Sequence, residues 1–128
     1  AKGVAERERW RKVADLRQLL RERAVYVDYH PIVSTASQAV VGYEALARGI
    51  PRALRSPEVL FEVAAEADLL WELGRLCRQR AVEGMPTRLA EGQLLFLNAD
   101  PHDFADPAFT PEALAVTDPK RVVIEITE

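Results

Sequence analysis

Two strand-like runs separated by four residues narrow the folds open to this chain more than any other feature. Val25-Tyr26-Val27-Asp28-Tyr29-His30-Pro31-Ile32-Val33 alternates and is rich in β-branched and aromatic residues. Gln38 to Leu46 forms a second such run, with only Ser34-Thr35-Ala36-Ser37 as the turn between them. So short a connection makes the pair antiparallel, because a parallel partner needs a crossover of roughly a dozen residues or more. Pro31 cannot donate to a ladder, so its part of the first strand belongs on an edge or near a bulge.

The other elements alternate. Residues 4–23 lack Pro and Gly, and Trp10, Val13, Leu16 and Leu20 recur at helical spacing among charges. Residues 1–24 thus read as a linker helix. It is either a signalling or dimerising helix from an upstream domain, or a helix covering the bottom of a barrel or sheet; three turns of stripe fit both. Arg48 to Arg55 reads as a loop containing Gly49 and Pro51. Ser56-Pro57-Glu58 is a strong helix start, with Ser as N-cap and Pro at the first helical position. The helical pattern runs to about Glu83, with Leu60, Phe61, Ala64, Ala67, Trp71, Leu73, Leu76 and Cys77 inward. Asp68 or Gly74 marks a break, and Gly84-Met85-Pro86 is the stop. A third strand covers Gln93 to Asn98, a short helix lies near Pro111 to Ala115, and a fourth strand covers Arg121 to Ile126. Strands separated by helices predict an α/β fold whose sheet is parallel after the initial hairpin.

Composition removes several classes of function. At 128 residues, 48% hydrophobic and 29% charged, the chain suits one soluble domain with a core. No apolar run approaches the ~20 residues of a membrane helix, so no membrane span is expected in this segment. Cys77 is the only cysteine, so no intrachain disulfide is possible, which fits a reducing cytoplasm. In a helical pattern such a residue is core filler rather than a nucleophile. Residues 1–24 carry eight Lys/Arg against four acids, which leaves 25–128 at net −7, a poor binder of long nucleic acid. The chain starts without Met and stops at Glu128 directly after a strand-like run, so it reads as an excised fragment. An unpaired sheet edge then predicts self-association, as a homodimer or an exchange of halves.

Chemistry concentrates at the strand ends. Glu44, Asn98 and Glu125 each stand at or near the end of a short apolar run. Two carboxylates and an amide carbonyl, without paired His or Cys, favour Mg²⁺, Mn²⁺ or Ca²⁺ over Zn²⁺. On one rim of a parallel sheet such ligands suit a metal that activates water and neutralises phosphate charge. Arg48, in the loop expected after the second strand, can fork onto a phosphate.

Four ordered stretches carry a resemblance. They are Tyr29-His30-Pro31-Ile32-Val33, Val41-Gly42-Tyr43-Glu44-Ala45-Leu46-Ala47-Arg48, Leu95-Phe96-Leu97-Asn98 and Ile124-Glu125-Ile126-Thr127-Glu128. Together they resemble the successive signatures of EAL domains, bacterial phosphodiesterases that act on the second messenger cyclic di-GMP. The resemblance spans 25–128 and implies a modified TIM barrel whose first strand is antiparallel. It further implies that Glu44, Asn98 and Glu125 are Mg²⁺ or Mn²⁺ ligands, with Glu44 catalytic and Arg48 on a substrate phosphate. Leu46 would line the dinucleotide pocket, and Glu128 would be a catalytic-site glutamate anchoring a loop. The implied reaction is two-metal hydrolysis of cyclic di-GMP to linear pGpG.

The sequence departs from the family in three places. His30 stands where the family usually has a substrate-contacting Gln. The helix motif Pro-x-x-Phe-Ile-Pro-x-Ala-Glu is followed loosely, with Leu60, Phe61 and Glu62 at the Phe, Ile and Pro positions and Ala65 replacing the Glu. The paired aspartates, lysine and later glutamates of the family are absent. A full barrel needs ~250 residues, so the expectation is a partial TIM barrel, about half of one, inactive alone. The alternatives are a degenerate module that acts as a cyclic di-GMP receptor or protein-interaction domain, and an unrelated metal-dependent barrel hydrolase.

Overall fold

The computed structural model describes residues 2–114 and 118–127. Helix α1 (Lys2–Glu22) buries Val13, Leu16 and Leu19, one side chain per turn on the face that meets the rest of the chain. The stripe thus differs from the sequence expectation. Trp10 is 70% exposed, because the face that α1 turns towards α2 there carries Ala5, Glu8, Arg9 and Lys12 instead, and Leu19 rather than Leu20 is the fully buried member. Arg23 closes the helix in the left-handed region (φ 53), and Ala24 N–H donates to the Leu19 carbonyl at 2.9 Å. This turn aims the chain into β1 (Val25–Val33), whose Val25 is fully buried beside Leu16 and Leu19.

β1 pairs antiparallel with β2 (Val40–Gly49), as the short connection requires, and the ladder is irregular between Ile32 and Val33. β2 runs three residues beyond Leu46, so Arg48 lies in the strand and not in the loop expected from Gly49 and Pro51. Continuous pairing holds it there: Tyr26 stands opposite Arg48, and Val25 opposite Gly49.

The long helical pattern divides into α2 (Pro57–Glu66) and α3 (Leu70–Glu83). Asp68 makes the break with φ 57, a conformation Asp tolerates better than most residues. Gly74 instead lies buried within α3. Gly84 keeps right-handed helical geometry, so one further turn, α4 (Met85–Arg88), follows before β3 (Leu94–Ala99). Between β3 and β4 (Val122–Ile126) the described chain forms 3-10 turns at Pro101–Ala105 and Pro119–Arg121. Residues 111–114 form a turn rather than the start of the expected helix, and Ala115 lies outside the described residues.

The sheet order is β1-β2-β3-β4, and the β2–β3 and β3–β4 pairs are parallel. Helices cover one face. Leu60, Val63, Ala64, Leu73 and Leu76 join α1 and Val25 in one core, and Ala81 of α3 packs with Ala45, Leu95 and Leu97 in a second. Burying a Leu of this kind stabilises by about 1.5–3 kcal/mol. β2 and β3 approach so closely that a Cβ on Gly42 would sit 2.3 Å from the Leu94 carbonyl oxygen.

Candidate metal and phosphate rim

Residues directly opposite one another in a ladder share a face of the sheet. Tyr26, Asp28 and His30 of β1 therefore lie on one face with Arg48, Leu46 and Glu44 of β2. Glu44 is opposite Phe96, which puts Asn98 two residues on upon the same face, and Asn98 is opposite Glu125. Period-two alternation sends the neighbours Ala45, Leu97 and Ile124 to the helix-covered side. Hence the apolar runs carry isolated polar residues without burying them in the core.

The three oxygen-bearing residues meet. Asn98 Nδ2 donates to Glu44 Oε2 at 3.3 Å, which leaves the amide oxygen available as an acceptor. Glu125 Oε1 is buried and has no hydrogen-bond partner. Burial raises the Glu125 carboxyl above its usual range, and the negative charge of Glu44 raises it further. Two ionised carboxylates cannot donate to each other, so a proton shared between them or a bound cation would reconcile the pair. Among the described residues no three His, Cys, Asp or Glu converge, so a third oxygen ligand for a cation here would have to come from the Asn98 amide. A hard divalent cation fits that donor set.

Arg48 has a partner that the sequence did not single out. Its Nε donates to Asp28 Oδ2 at 3.2 Å, with both residues partly exposed. Leu46 is half-buried beside them, opposite Asp28, and His30 is exposed opposite Glu44. Glu128 lies outside the described residues.

A buried ionic network anchors the loop after β3, next to Asn98. Arg75 grips Asp106 through Nε at 2.8 Å and Nη2 at 2.5 Å. Arg78, only 3% exposed, reaches Asp103 at 3.3 Å and lies over the Phe109 ring at 4.5 Å. The Arg75 hydrogen bonds hold the Asp106 carboxyl down at about 2. Asp100 caps the turn by accepting from His102 N–H and Asp103 N–H, and Asp103 accepts from Asp100 N–H in return. Sequence reading missed this network; its one available signal was Arg78, a charged residue at helical spacing from Gly74 and Ala81 on the buried side of α3. Cys77 is pushed up to about 12 by burial, the environment of a packed thiol and not of a nucleophile.

Residues 13–128 match the EAL domain family. An uncharacterized signaling protein of Caulobacter vibrioides is 34% identical over 95% of the chain, which spans only 16% of that protein's length. Among solved structures, the Xanthomonas citri FimX EAL domain in complex with c-diGMP superposes with TM-score 0.74 at 23% identity, covering 97% of this chain and 52% of that one. The EAL enzyme Bd1971, in its cAMP- and cyclic-di-GMP-bound form, gives TM-score 0.76 at 17% identity, covering 98% and 38%. The PaMucR phosphodiesterase in its c-di-GMP complex gives 0.73 at 22%, covering 90% and 51%. The chain therefore spans about half the length of the solved EAL domains and carries the N-terminal portion of that TIM-barrel-like fold.

Proposed function

Because this chain belongs to the EAL domain family, we propose that it supplies the first half of a site that hydrolyses cyclic di-GMP to linear pGpG. Glu44, Asn98 and Glu125 hold Mg²⁺ or Mn²⁺ in this reading. The single observation that carries it is the Glu125 oxygen, buried without a partner beside Glu44 and Asn98. A bound divalent cation supplies charge neutralisation at a phosphodiester and makes water a better nucleophile.

The chain's own groups position the substrate. Arg48 presents guanidinium N–H donors to a phosphate, Leu46 offers the apolar wall beside it, and His30 borders the same face opposite Glu44. Glu128 keeps the loop-anchoring role that the family resemblance gives it. Hydrolysis needs the ligands of the other half of the domain, so the 128-residue chain alone binds metal without turnover. It also associates with itself, because Ile126 is 65% exposed on β4, which pairs only with β3 among the described residues.

The test is Mn²⁺ titration followed by isothermal calorimetry, then chromatography of cyclic di-GMP incubated with a polypeptide extending through the whole domain. Saturable Mn²⁺ binding that is lost in Glu44→Gln, together with pGpG formation, is the expected result. Dinucleotide binding without pGpG would instead establish a receptor, the reading motivated by His30 and Ala65, which depart from the family pattern.

A further inference from the structure

We propose that Asp28 is a built-in counter-ion that limits how tightly this face holds a phosphate, by competing for Arg48. The inference rests on the cyclic di-GMP reading above and names what tunes that site.

Three observations carry it. First, Asp28 and Arg48 lie on the face that holds Glu44, Asn98 and Glu125, so their pair stands where an anionic ligand of that face would lie. Second, the contact is direct: Arg48 Nε reaches Asp28 Oδ2 at 3.2 Å, and Asp28 is the only described acid paired with Arg48. Third, the Arg48 side chain is 23% exposed and that of Asp28 45%, so the pair is only partly shielded from water. Pairs of this kind are weak and exchange partners at little cost. A phosphate approaching Arg48 therefore meets a carboxylate within the same few ångströms. Either it displaces Asp28 from Nε, or it takes the terminal amino groups while Asp28 repels it. In both cases the carboxylate lowers anion affinity through its charge, not its shape.

The geometry of β2 explains why this residue acts and its neighbours do not. Val27 and Tyr29 face the helices, and Tyr26, directly opposite Arg48, carries no carboxylate. Asp28 is one diagonal step away, within reach of a long side chain across an antiparallel ladder.

The experiment compares a polypeptide extending through the whole domain with its Asp28→Asn variant, which keeps the shape and a hydrogen-bond acceptor but removes the charge. Asp28→Ser removes the same charge with a different shape and guards against a folding defect. Cyclic di-GMP and inorganic pyrophosphate are titrated into each by calorimetry, at low salt and in about 0.5 M salt. Both variants are expected to bind about three- to tenfold tighter at low salt, with the gain shrinking as salt screens the charge. The gain should vanish in an Arg48→Ala background. Equal or weaker binding by both variants, with the unaltered polypeptide binding cyclic di-GMP, overturns this proposal alone. If no variant binds either probe, the phosphate-site reading falls with it.

Discussion

Asn98 and Glu125 stand directly opposite each other across the parallel β3–β4 ladder, and Glu125 Oε1 there is buried with no hydrogen-bond partner. The position is destabilising for an ionised carboxylate, a cost that a bound cation would relieve.

Removing the charge should therefore stabilise the fold. The Glu125 carboxyl is raised by burial and by Glu44, so the folded state takes up its proton more readily than the unfolded chain. The penalty is complete above the folded-state pKa and disappears below the ordinary carboxylate value. Glu125→Gln is expected to melt about 3–5 °C higher at neutral pH, with the difference closing towards pH 4. Thermal unfolding by circular dichroism across that range measures it, and a variant that melts lower at pH 7 would refute the assignment.

Metal should reverse the order. Mn²⁺ at about 100-fold over its dissociation constant stabilises a single-site protein by about 2.7 kcal/mol. The unaltered chain should gain a shift of that order, while Glu125→Gln and Asn98→Ala gain little. Equal shifts in all three would place the ion elsewhere.

The anchor of the loop after β3 is open to a separate test. Asp106→Asn leaves Arg75 and Arg78 without their shared counter-charge and is expected to cost about 3 kcal/mol. Because Arg75 lowers the Asp106 carboxyl to about 2, its contribution is present above the unfolded value and lost as pH falls from near 4 to near 2. Urea unfolding at pH 7 and pH 2.5 should show a gap between variant and parent that narrows at the lower pH.

Strand spacing at the site depends on Gly42. A methyl group there meets the Leu94 carbonyl oxygen at 2.3 Å, so β2 and β3 must move apart. Gly42→Ala is expected to cost about 1–3 kcal/mol and to weaken Mn²⁺ binding, because Glu44 and Asn98 sit on the two strands that separate. Unchanged metal affinity alongside lost stability would show that the rim does not rely on this contact.

Much of the fold was legible because local signals agree with the tertiary outcome. The four apolar runs became the four strands, and Ser34-Thr35-Ala36-Ser37 made the first pair antiparallel. Ser56-Pro57-Glu58 marked the start of α2, although Ser56 makes no side-chain cap bond. Less legible were features that depend on where other elements end. Trp10 looked inward by periodicity, but α2 meets the neighbouring face of α1, the one that carries Ala5, Glu8, Arg9 and Lys12. Arg48 looked like a loop residue, because Gly49 and Pro51 punctuate the chain there while the partner strand holds it extended. Arg78 is a charged residue buried among acids from a loop some 25 to 28 positions further on, a distance no local pattern spans.

The sequence by itself determined the order of elements, the antiparallel first pair and the kinds of oxygen ligand carried near the strand ends. Tertiary structure decided which of these side chains meet. A strand alternates with period two, so face and neighbours depend on a register set by long-range ladders and one irregularity at Ile32 and Val33. That register seats Asn98 against Glu44, leaves Glu125 Oε1 unpartnered, and gives Arg48 to Asp28.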